Sequence, residues 1–141
     1  MYGDTAIIRA HAGRMRERAH EIRDESAALA GAAEAVPWAG IAADAMRRLA
    51  REHAGCLRSC ATAHEDAAEA LDHHAREVDR LEELIASIEK RVRGLVESAT
   101  SGLGGLIGHV LPDGIDRWVH DFDPPPPGSR EWLDVRVPRS A

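Results

Sequence analysis

"VPWAGIAADAMRRLA", residues 36–50, sets Pro37, Trp38 and Gly40 side by side between two long alanine-rich stretches. Pro37 lacks a backbone N–H and biases Val36 away from the α region, so a helix arriving from the N-terminal side must stop here. Gly40 permits a positive φ or a close backbone approach in a tight connection. The stretch reads as the corner of a helical hairpin, with Trp38 and Gly40 as its motif residues. A large apolar ring at that position is expected to cap the open end of the seam, over alanines and Met46.

Working outward, the N-terminal side has a helical period. Ile8, Met15, Ile22 and Leu29 recur every seven residues, interleaved with Ala12, Ala19, Ser26 and Ala33, which gives a 4,3 stripe with small residues at alternate seam positions. Asp4 is placed to cap this helix. Gly31 costs about 1 kcal/mol in a helix interior, so fraying of the last turn is expected.

Beyond Gly40 the pattern runs further. One series is Ala50, Leu57, His64, Leu71, Val78, Ile85, Val92 and Ala99; the second is His53, Cys60, Ala67, His74, Leu81, Ile88 and Leu95. Together they predict a second helix of roughly 85 Å at 1.5 Å per residue. A short connection makes the two helices antiparallel neighbours, with position i of the first facing roughly 76−i of the second. The first helix then covers only half of the second. Leu71, Val78, Leu81, Ile85, Ile88 and Val92 are left as the candidate partner-binding residues. Either a second chain or a returning C-terminal segment must cover this stripe, and the sequence reading favours a second chain.

Composition suits such an arrangement. Twenty-five alanines and an aromatic content of 4% give little stability per residue at about 25 cal/mol per Å² of buried apolar surface, so close helix packing, with a partner, fits better than a globular core. The net charge of −6 argues against a nucleic-acid surface. Arg and Glu alternate as on a solvated helix face. Seventeen arginines against the single Lys90 point to a GC-rich genome. "MYGDTAIIRAHAGRMR" holds no apolar core of a signal peptide, and no stretch is apolar for long enough to span a bilayer.

After Ser98 the character changes, so the chain divides into a hairpin over residues 1–99, a glycine-rich apolar segment over 100–119 and a Pro-rich tail over 120–141. "SGLGGLIGHVLPDGIDRWV", residues 101–119, reads as a hinge plus a short helix docking through Leu106, Ile107, Val110, Leu111, Ile115 and Trp118. Its "GLGGLIGHVL" is similar to interfacial membrane peptides but lacks their basic face; a docking segment is the expectation. "DPPPPGS" is a stiff spacer. "REWLDVRVPRSA" alternates Leu133, Val135 and Val137 as a lone strand or extended peptide would. Residues 120–141 are therefore expected to be partly disordered, ordering on binding.

Two Ala-rich helices joined at Trp38-Ala39-Gly40 and followed by "AADAM", without a signal peptide, resemble the WXG helical-hairpin family of type VII (ESX) secretion substrates. The resemblance covers about residues 4–95. It implies pairing into homo- or heterodimers of such hairpins and export by an ATPase-driven membrane machine, with the secretion ATPase as a further partner. It thus implies a secreted protein with no cleavable signal, as against a cytoplasmic adaptor or chaperone that is never exported. This chain departs from the family pattern. Its only tyrosine is Tyr2, so the usual Tyr-x-x-x-Asp/Glu signal after the second helix is absent, and the second helix is overlong.

Chemistry is sparse by comparison. His53, Cys56, Cys60 and His64 share one helical face, and thiolate and imidazole are ligands zinc prefers. They span roughly 16 Å along the axis, so one ion cannot take all four; Cys56 and Cys60 with His20 across the hairpin is the best three-ligand arrangement. Reading the cysteines as small seam residues is preferred, and neither a metal nor another cofactor is assigned. His73 and His74 beside Asp72 and Glu77 lie on a long helix with no concave pocket. The glycine run "GLGGLIG" lacks the strand and lysine of a phosphate loop. No enzyme is expected. The sequence specifies an all-α, coiled-coil-like antiparallel hairpin that acts through protein–protein contact.

Overall fold

The computed structural model describes residues 4–101 and 114–138. Helix α1 is Thr5–Ala35, α2 is Ile41–Thr100 and α3 is Ile115–Asp121, followed by a 3-10 helix at Arg130–Asp134. No strand occurs among the described residues. The protein is an all-α helical hairpin whose second helix, at 60 residues, is almost twice the length of the 31-residue first. Two compact units divide the chain inside α2, one running up to Glu77 and one from Val78 onward.

In the hairpin unit, the Asp4 carboxylate accepts the Ala6 N–H at 2.9 Å and starts α1, satisfying one of the donors a helix start leaves open. Ala12, Ala19, Ile22, Ser26 and Ala33 form its buried face. Opposite them on α2 lie Ala43, Ala50, Ala54, Ala61, Ala68 and Ala75, all buried. The second stripe of α2 thus differs from the one expected. His53, Cys60, Ala67 and His74 are exposed, and the alanine that follows each of the four is buried instead. The reason is distance. Alanine facing alanine lets two backbones approach closely, whereas His and Cys at the seam would hold the helices apart and bury polar atoms at a cost.

The close approach is visible at Ser26, only 1% exposed. Its Oγ donates to the Ala54 carbonyl on the opposite helix at 2.8 Å, a reach that so short a side chain achieves only when the backbones nearly touch. Ala19 and Ile22 close on Ala61 and Leu57. Position i of α1 therefore faces about 80−i of α2, one helical turn beyond the expected register. In the first turn of α2 Ala43 is buried on the seam while Ile41, 92% exposed, points away from it.

Ion pairs line the seam's margins: Arg16 with Asp72, Arg23 with Glu65 as a two-pronged fork, and Arg51 with Glu34 at 2.7 Å. Each joins half-exposed or exposed side chains and contributes tenths of a kcal/mol to about 1 kcal/mol. Their main effect is on register, since a one-turn slip breaks all three together.

In the second unit the chain's own C-terminal segment returns to α2. Trp132 is 1% exposed and packs with Ile85 and Val92, ringed by Ile88, Val96, Trp118, Phe122 and Leu133. Trp118 and Phe122 stack at 4.5 Å, with Phe122 and Trp132 tilted at 6.3 Å. The proline run ends in a turn. Gly128 has φ +71, the Ser129 N–H donates to the Pro126 carbonyl at 3.0 Å, and the Ser129 Oγ accepts the Glu131 N–H at 3.1 Å. That turn delivers the indole, whose Nε1–H donates to the Pro126 carbonyl at 2.9 Å. Leu133, Val135 and Val137 follow as a 3-10 helix and extended peptide with their apolar sides toward α2, so the alternation seen in the sequence is that of a docked strap and not of a strand in a sheet. Ile115 is 2% exposed, and half-buried Trp118 packs against the cluster. Leu106, Ile107, Val110 and Leu111 lie outside the described residues.

Candidate functional site

The corner is built by Gly40 and by a residue the sequence did not single out. Gly40 has φ +106 and its carbonyl accepts the Asp44 N–H at 3.0 Å, which opens α2. A Cβ there would meet nothing within 4 Å, so the demand for glycine is one of backbone conformation and not of space.

From the second turn of α2, Arg47 reaches back into the connection. Its Nη2 donates to the Val36 carbonyl at 2.9 Å and to the Trp38 carbonyl at 2.8 Å. The same guanidinium meets Asp44 at 3.5 Å and Glu34 at 3.9 Å, and its side chain is 17% exposed. One guanidinium nitrogen takes both carbonyls while Nη1 and Nε face the two carboxylates, a spread of donors that the single nitrogen of an ammonium cannot reproduce. Arg47 is thus the clasp that holds the connection against α2.

Trp38 is placed otherwise than expected. Its side chain does not cap the seam; the residue is 62% exposed. With Ile41 it gives the corner an apolar tip, presented on a backbone fixed by Arg47 and Gly40. An exposed tryptophan on a fixed backbone is a common anchor in protein–protein contacts, because its area is large and few rotatable bonds must be ordered.

The partner-binding candidates fare differently. Val78, Ile85 and Val92 are buried, and Leu71, Leu81 and Ile88 half-buried. Ile85, Ile88 and Val92 are brought together under Trp132. The sequence favours a second chain as the cover of this stripe; over Ile85, Ile88 and Val92 the structure has the returning segment instead. The tail carries an aromatic anchor and a turn, and an anchor tethered to its target needs no second molecule.

The cysteines are corrected as well. Cys56 and Cys60 are free thiols and both exposed, so they are not small seam residues. In the observed register His20 faces position 60 more nearly than 56, so the proposed set of three ligands is not assembled. The Cys60 Sγ lies 3.8 Å from the His64 Nδ1, which also meets the Cys60 carbonyl at 2.9 Å; an Nδ1–H tautomer serves both. Among the described residues no group of three or more His, Cys, Asp or Glu is placed to hold a metal ion. His73 and His74 are exposed. Among the described residues no helix is long and apolar enough to cross a membrane. Comparison of the chain with protein-family models, with curated proteins and with solved structures finds no match.

Proposed function

We propose that this chain is a substrate or accessory of a type VII secretion system, acting by helix–helix pairing with a similar hairpin. One observation carries the reading: the Trp38-x-Gly40 corner joins two helices in a hairpin, and Trp38 stands 62% exposed on a backbone fixed by Arg47. A tryptophan needed only for the turn would be buried in it. The chain lacks the Tyr-x-x-x-Asp/Glu signal, so in this reading either a partner chain supplies it or the chain has another role in the pathway.

The test is fractionation of culture supernatant from the native host, with and without the secretion ATPase. The wild-type chain is expected outside only in the competent strain, and Trp38→Ala is expected to lower export while leaving the helical content unchanged. A chain found only in the cytosol of both strains would refute the reading. A second reading, a cytosolic helical adaptor or chaperone, is favoured by the self-covered distal stripe, since a chain that shelters its own apolar edge has less need of an obligate partner.

A further inference from the structure

We infer that the stripe Val78, Leu81, Ile85, Ile88, Val92 and Leu95 is a surface for antiparallel self-pairing, whose middle, at Ile85, Ile88 and Val92, residues 122–137 cover as a displaceable strap in the place of a second copy. This rests on the proposed function only in taking helix pairing as the use of the stripe. Three observations carry it.

The first is symmetry. The stripe's spacings are 3, 4, 3, 4 and 3, the same read from either end. An antiparallel copy therefore sets each residue of one coiled-coil row against the other row of its partner, as an isologous two-fold contact requires.

Charge is the second. Glu77, Asp79, Glu82 and Glu83, against Arg80, make the first half of the segment acidic; Lys90, Arg91 and Arg93, against Glu89, make the second half basic. An antiparallel copy lays acid on base, and a parallel copy lays like on like. Opposed fields of this kind select orientation more than they add affinity.

The third is the fit of the present occupant. A helical stripe of this period offers holes for the knobs of another helix. The strap is a 3-10 turn with extended flanks, and Trp132 is its one almost fully buried side chain among the described residues. A main-chain bond from the Gly128 N–H to the Glu89 carboxylate, at 3.1 Å, fixes its turn. On one side a groove of about 510 Å³ remains beside Val92 and Val96; on the other, one of about 810 Å³ remains beside Leu84 and Ile88. The strap wins by being tethered, not by filling the surface. A second copy binds only the fraction of molecules whose strap is open, so its apparent affinity is lowered by that fraction.

Sedimentation of the full-length chain tests this. Wild type is expected to be monomeric at low micromolar concentration. Trp132→Ala is expected to lower the monomer–dimer midpoint at least about tenfold by raising the open fraction. Trp132→Ala with Ile85→Asp is expected to return the chain to monomer. Spin labels at Ser98→Cys, with Cys56→Ser and Cys60→Ser, report the orientation: labels roughly 35 Å apart along the axis mean antiparallel, and about 10 Å means parallel.

Self-pairing is overturned if Trp132→Ala stays monomeric to about 500 μM, whether or not its helical signal falls, if Ile85→Asp leaves the dimer intact, or if the labels read parallel. A chain that never self-associates yet is exported overturns this inference and leaves the export reading standing. Self-pairing of a chain that is never exported does the reverse.

Discussion

Arg47 and Gly40 together decide whether the connection between α1 and α2 is a defined corner or a loose link. Gly40 at φ +106 occupies backbone space that L side chains adopt at about 1–2 kcal/mol, so Gly40→Ala should destabilise the hairpin by that amount, measured by urea unfolding. Arg47→Ala removes both bonds to the Val36 and Trp38 carbonyls. Charged donors contribute about 1.5–3 kcal/mol to such bonds, and the site is partly open to water, so the lower end of that range is expected for the variant. Arg47→Lys should recover only part, because one ammonium nitrogen can take up the two carbonyls but cannot also face Asp44 and Glu34 as Nη1 and Nε do; full recovery would show that the two carbonyl bonds alone fix the corner. The sequence made Gly40 legible, since a proline and a glycine so close punctuate any helical pattern. It left Arg47 invisible. The partners of Arg47 are main-chain carbonyls, and every residue carries one.

Between the helices, neighbouring alanines that composition cannot tell apart have opposite roles. Ala68 lies on the seam at 0% exposure, while Ala67 faces solvent. Ala68→Leu forces three more carbons between backbones already in near contact, which should cost about 1–3 kcal/mol; Ala67→Leu should change stability by no more than about 0.5 kcal/mol. Thermal unfolding of the two variants side by side decides the register, because the stripe through His53, Cys60, Ala67 and His74 requires the reverse order. The small-residue stripe Ala12, Ala19, Ser26 and Ala33 of α1 and the first stripe of α2 could be read from their seven-residue interval, whereas Leu29, expected on the seam, is exposed. The second stripe of α2 could not. Hydrophobicity ranks Cys60 with the core and is silent between Ala67 and Ala68, whereas the fold selects for smallness. The same preference for close approach goes with a register one turn beyond the one that the connection alone suggests. The existence of the hairpin followed from period, but register followed from contact distance, which a list of apolar positions does not contain.

The whole molecule puts two kinds of core on one long helix: alanine stripes with little apolar area per contact, and a cluster anchored by a single indole. The tail read as a spacer because four prolines suggest stiffness, yet Gly128 and Ser129 are turn and cap signals in plain sight, and together they aim Trp132 at Ile85 and Val92. Stability should accordingly be partitioned. Truncating a buried Trp to Ala costs about 3–5 kcal/mol, and that loss should fall on the unit that holds the indole. At low micromolar concentration, amides of residues 122–137 in Trp132→Ala should lose protection from hydrogen exchange by a factor of about 100 or more, or down to the rate of open chain if their own stability is smaller. Amides of α1 between Ala12 and Ala33, whose cover is Ala43–Ala75 and the Arg23–Glu65 fork, should keep their wild-type rates. Equal acceleration in both segments would mean that the two units open as one cooperative body, and the strap could then not be released without unfolding the hairpin that carries Trp38.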